Sequence, residues 1–154
     1  MKQAGLYALM IVGFLGYKAM TEADRDSSGA IVDAGSVDVF QIMVGDCFDD
    51  VTSEQISSLP GVPCAEPHDN EAYASFDVSL PSYPEGDGMY EMAFESCLDR
   101  FETFVGRDYE SSSLDIYTLY PTAEGWAQDD REVVCAIFDM EENKLVGSMR
   151  GSGI

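Results

Sequence analysis

Bases are scarce in this sequence: 8 lysines and arginines stand against 29 aspartates and glutamates, for a formal net charge of −21. A surface this acidic repels nucleic acid and anionic lipid headgroups, which argues against both as partners of the folded part. The acids are spread along the chain rather than gathered in one block. That fits a solvated surface in a salty environment, where screening weakens self-repulsion; a basic partner or surface cations are the alternative. Histidine is scarcer still, with His68 alone. It leaves a Ser-His-Asp or Cys-His device one candidate base, and no G-x-S-x-G elbow accompanies it. The sequence has no C-x-x-C pair, no second histidine at zinc spacing, no G-x-x-x-x-G-K-[ST] or G-x-G-x-x-G phosphate loop and no D-x-D-x-D-G calcium loop. No cofactor or metal is therefore expected, and the chain reads as a non-enzyme. A carboxylate-dependent hydrolase stays open as an alternative. Asp129-Asp130 and Asp46 with Asp49-Asp50 are its candidates, by abundance only.

The one long apolar run is Ala4–Tyr17, flanked by Lys2 and Lys18. Fourteen apolar residues are short for a span, but Lys18 can snorkel, so that Gln3–Met20 covers a thin bilayer. A small-x-small cleavage site is missing, which favours an uncleaved signal-anchor over a cleaved signal peptide. Residues 1–20 are thus expected to form an N-terminal transmembrane helix, with the N-terminus inside and the rest outside the cell membrane. Residues 21–36 are small, polar and acidic, and read as a flexible linker. Residues 37–154 read as one extracytoplasmic domain.

Within the domain, Val37–Val44 and Glu71–Leu80 have strand character, the latter with Ala72, Ala74, Phe76 and Val78 on one face. Val51–Leu59 could open a short helical turn capped by Thr52 or Ser53, and Pro60-Gly61 signals a turn. Met89–Val105 is the one long helix: Tyr90, Phe94, Cys97, Leu98, Phe101, Phe104 and Val105 form a stripe, and Gly106 is a stop. Leu114–Tyr120, Glu132–Phe138 and Lys144–Met149 are further strand candidates. The fold class is α+β: a small antiparallel sheet of four or five strands packed against one long helix.

The chain has 4 cysteines. An even count outside the membrane reads as disulfides, and three pairings are possible. Cys47–Cys64 and Cys97–Cys135 are favoured. The first pair flanks an excursion with a Pro-Gly turn; the second ties the helix to the strand it covers. Buried free thiols are the alternative. His68, followed by Asp69, is either a surface ligand or a ring that hydrogen-bonds backbone beside Cys64, and the structural reading is preferred. Trp126 either caps the edge of the core or is an exposed contact residue.

The ordered set VGDCF, VPCAEPHDNEAY, a cysteine inside a helix, YPTAEGWAQDDREVVCAI and LVGSMRG resembles the septum formation domain family. The resemblance covers about Val44–Gly151 and is carried by Gly45-Asp46-Cys47, Pro63-Cys64, Pro67-His68, Trp126, Arg131 and Cys135. The family's members are small extracytoplasmic domains, usually on a membrane segment. The resemblance implies a role at the division septum and brings no catalytic residues. The expected function is a non-enzymatic, membrane-anchored binding or scaffolding domain of the cell envelope. Its expected partners are envelope or membrane proteins, met through the transmembrane helix and the domain surface. An accessory subunit or assembly factor of a membrane complex is the alternative in the same class.

Overall fold

The computed structural model describes residues 21–52 and 56–154. The expected membrane helix falls on residues outside these. Among the described residues no helix is long and apolar enough to cross a membrane. The strands are β1 (Asp24–Arg25), β2 (Ile31–Asp33), β3 (Gly35–Asp38), β4 (Cys47–Phe48), β5 (Ser58–Val62), β6 (Asn70–Asp77), β7 (Leu114–Leu119) and β8 (Glu132–Asp139). The helices are α1 (Gly88–Val105) and the short α2 (Ala123–Ala127). Six strands make one sheet in the order β3-β5-β4-β6-β8-β7, and β1 and β2 form a separate ribbon. The sheet is therefore mixed with helix as expected and antiparallel throughout, but it is larger than four or five strands.

Two of the extra elements come from the stretch read as a linker. Residues 21–36 are folded, not free: they supply β1, β2 and the start of β3, and Ser36 N–H donates to the Thr21 carbonyl at 2.8 Å. Small polar composition was misleading here, because one arginine, Arg25, anchors the stretch (below). Pro60-Gly61 is also not a turn but lies inside β5, between β3 and β4. Pro60, which has no N–H to give, takes an exposed position and offers its carbonyl to Asp49 N–H at 2.9 Å. At Gly61 a Cβ would stand 2.6 Å from Val37 Cγ2 and 2.9 Å from Ile31 Cδ1. A bare backbone is what lets the ribbon close over β5.

β6 and β8 pair along their whole length, with one irregularity: Ala72 faces Ala136, while Ala74 faces Cys135. This bulge turns Tyr73 and Ala74 to one side and leaves Ala72 on the other. The expectation of a common face for Ala72 and Ala74 fails for that reason. On β8 the faces alternate cleanly. Val133, Cys135 and Ile137 join Met89, Ala93, Cys97, Phe101, Phe104 and Val105 of α1 in one core. Val134 and Ala136 join Ile31, Val37, Phe48 and Leu59 in a second core on the far face. In a flat sheet β3 would lie four strand spacings from β8, about 19 Å. Val37 and Val134 share a cluster, so the sheet curls over its second core.

The helix lies where expected, but Tyr90 of the expected stripe is exposed, Phe94 and Leu98 are half-buried, and Met89 and Ala93 are buried instead. Its buried positions recur every three to four residues, and Gly106 ends it at φ 83°, with its N–H on the Glu102 carbonyl. Tyr73, turned inward by the bulge, donates from its hydroxyl to the Cys97 carbonyl at 2.7 Å and meets Phe101 edge-on. Lys144–Met149 is not a strand; only a single bridge pairs Leu145 with His68.

Both disulfides form as favoured: Cys47–Cys64, Cα atoms 5.2 Å apart, and Cys97–Cys135, Cα atoms 5.5 Å apart. Among the described residues no cysteine is free. A non-reducing peptide map should recover these two pairs and no others. Replacing Cys97 and Cys135 together by alanine should lower the unfolding free energy in urea by roughly 2–5 kcal/mol with the other bridge intact.

Candidate functional site

The residues singled out from sequence fall into two clusters at opposite ends of the β6–β8 ladder. His68 and Asp69 precede Asn70, which pairs with Phe138. Arg131 precedes Glu132, which pairs with Asp77. Seven strand residues at about 3.3 Å each separate the two ends by roughly 20 Å. No single reaction centre can therefore draw on both.

At the first end, the run Cys64–Glu71 grips the C-terminal segment. His68 and Leu145 exchange backbone hydrogen bonds at 3.0 and 2.8 Å, and Gly147 N–H donates to the Cys64 carbonyl at 2.7 Å. The buried His68 ring sets Nδ1 2.8 Å from the Glu66 carbonyl. A carbonyl only accepts, so Nδ1 carries the proton there. Nε2 is buried and finds no hydrogen-bond partner among the described residues. No side-chain nucleophile among them meets this ring. Glu71, 0% exposed, accepts from Ser148 Oγ and from Met149 N–H, each at 2.6 Å. These contacts consume the donors that a ladder would have used, which is why Lys144–Met149 does not become a strand.

Glu71 also lies beside the first disulfide: its carboxylate and the sulfurs of Cys47 and Cys64 are all within 4.8 Å of one another. The sulfurs are joined to each other, so neither offers a thiolate. What remains for a metal is one carboxylate already holding two hydrogen bonds, which does not amount to a ligand set.

Asp69 belongs to an exposed network. Lys144 Nζ lies 2.9 Å from Asp69 and 2.7 Å from Asp49, and Asp50 N–H donates to Asp69 at 2.9 Å. Burial pulls the Asp69 carboxyl up, but the Asp50 N–H and Lys144 outweigh it and hold its pKa below the ordinary value. Lys144 is shifted upward in turn, first by its hydrogen bonds to Asp49 and Asp69.

The second end is the corner 121–132. Thr122 caps α2, its hydroxyl accepting from Gly125 N–H at 3.0 Å. The Arg131 guanidinium lies over the Trp126 ring, 3.6 Å from its centre, and donates to the carbonyls of Trp126 at 2.8 Å and Asp130 at 2.7 Å. Tyr83 meets Trp126 edge-on at 5.9 Å. Trp126 is half-buried against the helix-side core, and Arg131 is committed to it. Beside this corner runs an open groove in two lobes of about 760 and 200 Å³. They share Phe40, Gly125, Asp130 and Glu132.

Three features escaped the sequence reading. Asp46, buried at 4% exposure, accepts from both terminal nitrogens of Arg25 at 2.6 and 2.7 Å and from Met43 N–H at 2.8 Å. Its hydrogen bond is the main cause of the upward shift of the Arg25 pKa. The Gly45-Asp46 pair carried the signal for this, but the partner lay in the supposed linker. Glu71 was read as a strand residue, and Phe40 as part of a strand core.

The site and fold together define a small, stapled α+β domain whose motif residues mostly hold the chain together and whose open groove lies at one end. The chain belongs to the septum formation family, whose sequence profile matches residues 43–152. No curated protein and no solved structure matches it.

Glu71→Ala should strand the Ser148 hydroxyl and the Met149 N–H, lowering stability by about 2–4 kcal/mol and exposing the C-terminal segment to amide exchange ahead of the rest. The Lys144 network has a defined pH response. Asp69 is depressed in the folded state, so its contribution is complete above its unfolded pKa and fades as pH falls through its lower folded value. The stability difference between the protein and Lys144→Met, at most about 0.5 kcal/mol at neutral pH given the exposure of the lysine, should vanish in urea titrations taken well below pH ~4.

Proposed function

We propose that this protein is a membrane-tethered, extracytoplasmic binding domain of the cell envelope that acts in septum formation without catalysing a reaction. The pair of disulfides carries this reading: disulfides persist in oxidising surroundings and are rare in the cytosol. Membership of the septum formation family supports the setting. The apolar run Ala4–Tyr17 supports the tether. The open groove, with an aromatic side chain exposed on it, supports contact with other molecules as the mode of action.

The test is made on intact cells carrying the full chain. An external protease should degrade the domain, and a thiol reagent should label none of its cysteines without prior reduction. Chemical crosslinking should then recover specific envelope proteins. That recovery should survive exchange of residues 3–20 for an unrelated membrane helix. Protection from the protease, or reactive thiols at Cys47, Cys64, Cys97 and Cys135, would overturn the reading. Loss of all partners on exchanging the helix would favour an accessory subunit held through its anchor.

A further inference from the structure

We propose that the groove beside Phe40 is a docking site for an extended, basic segment of a partner protein. An apolar side chain of that segment sits on Phe40 and Tyr120, and an adjoining lysine or arginine meets Asp77, Asp129, Asp130 and Glu132. This rests on the binding role above and gives it a face and a ligand chemistry.

The two lobes differ in kind. One is floored by Val39, Ile56, Leu119 and Val134. The other is rimmed by Asp77, Asp129, Asp130 and Glu132. They meet at Phe40, which is 66% exposed although a buried position for one phenylalanine is worth about 2–3 kcal/mol. Tyr120, on the same apolar lobe, is 40% exposed. Among the described residues no cation from outside the groove pairs with the rim. Arg131, its one base, is spent on the Trp126 face and on two carbonyls, with Asp129 at 3.4 Å.

The carboxylates are also placed in advance. Glu132 accepts from the Ser75 hydroxyl at 2.6 Å, and Asp130 accepts from Glu132 N–H at 3.1 Å. Carboxylates held this way lose little freedom when a cation arrives. Apolar floor, acidic rim and two open lobes that adjoin at Phe40 match a strand-like peptide with apolar and basic side chains side by side. A second copy of this chain is a poor occupant, because its own surface carries the same sign of charge.

The probe is a tryptophan-free synthetic octapeptide of alternating leucine and lysine, added to the full chain in zwitterionic nanodiscs. Trp126, the sole tryptophan, lies beneath Arg131, which lines the groove, and reports binding by its fluorescence. Phe40→Ser should weaken the peptide at least tenfold, and so should Asp77→Asn with Asp129→Asn. Asp99→Asn with Glu102→Gln removes the same charge from the outer face of α1 and should change affinity less than twofold. Serine in place of leucine in the probe should cost at least tenfold. Non-reducing mass and circular dichroism confirm that each variant is folded. Unchanged affinity in Phe40→Ser, or equal losses from the two charge pairs, would overturn the proposal. So would a concentration-dependent dimer in sedimentation that Phe40→Ser abolishes, which would make a second copy the occupant. If the peptide results fail while crosslinking in cells still recovers partners, this face is wrong and the binding role stands.

Discussion

Between Asn70 and Asp77 the chain lies against Glu132–Phe138 for its whole length, and the sheet is built outward from that pair. β8 is buried on both faces, so its side chains must satisfy two cores at once. The bulge at Tyr73 is what makes the two compatible. An unbroken alternation would send Ala72 and Ala74 to the same side. The extra residue instead turns Tyr73 toward the helix, where its hydroxyl finds the Cys97 carbonyl beside the second disulfide. Burial raises the Tyr73 pKa, and the hydrogen bond needs the neutral phenol, so burial and bonding act in the same direction. The disulfide then fixes the helix on the strand at the place where the ladder is irregular.

The excess of acid bears on how the rest is held. Among the described residues Arg25, Arg131 and Lys144 meet carboxylates, far too few to neutralise it. Arg100 lies over Phe76 and Arg150 over Phe104, as Arg131 lies over Trp126. Arg100 and Arg150 spend themselves on aromatic surface, and Arg131 does so while also meeting Asp129 at 3.4 Å. The two carboxylates taken inside, Asp46 and Glu71, are each held by hydrogen bonds: Asp46 by Arg25 and Met43, Glu71 by Ser148 and Met149. Self-repulsion among the others opposes the compact state, most of all at low ionic strength. Two covalent links, which restrict the unfolded chain, offset a penalty that a core of this size would meet with difficulty.

Local patterns were legible and long-range ones were not. The helix, its glycine stop, both bridges and the strands around Tyr73, Ile116 and Cys135 announce themselves through periodicity, composition and spacing. Residues 21–36 did not, because small polar residues read as tether unless the carboxylate that binds Arg25 is known to lie 21 positions on. Pro60-Gly61 reads as a turn in any sequence. Only the neighbours Val37 and Ile31, which leave no room for a Cβ, explain a glycine in mid-strand. The C-terminal LVGSM has strand composition, yet Glu71 and Cys64 claim its donors. In the groove, Asp129-Asp130 looked like abundance alone; what gives the pair a setting is Phe40, some ninety residues away in sequence.

The position of the groove relative to the chain's start follows from the ribbon. Thr21 is bonded to Ser36, and Phe40 lies four residues further on. At about 3.3 Å per residue, the groove is within roughly 15 Å of the point where residues 1–20 join the fold. On the proposed reading the tether therefore keeps the groove within reach of the membrane surface. The acidic rim is repelled by anionic headgroups, which keeps lipid from occupying the apolar lobe. On that reading a partner's basic segment, drawn by the same charge, would be favoured there over lipid. Charge and tether together would then select proteins embedded in the same membrane over the lipid that surrounds them.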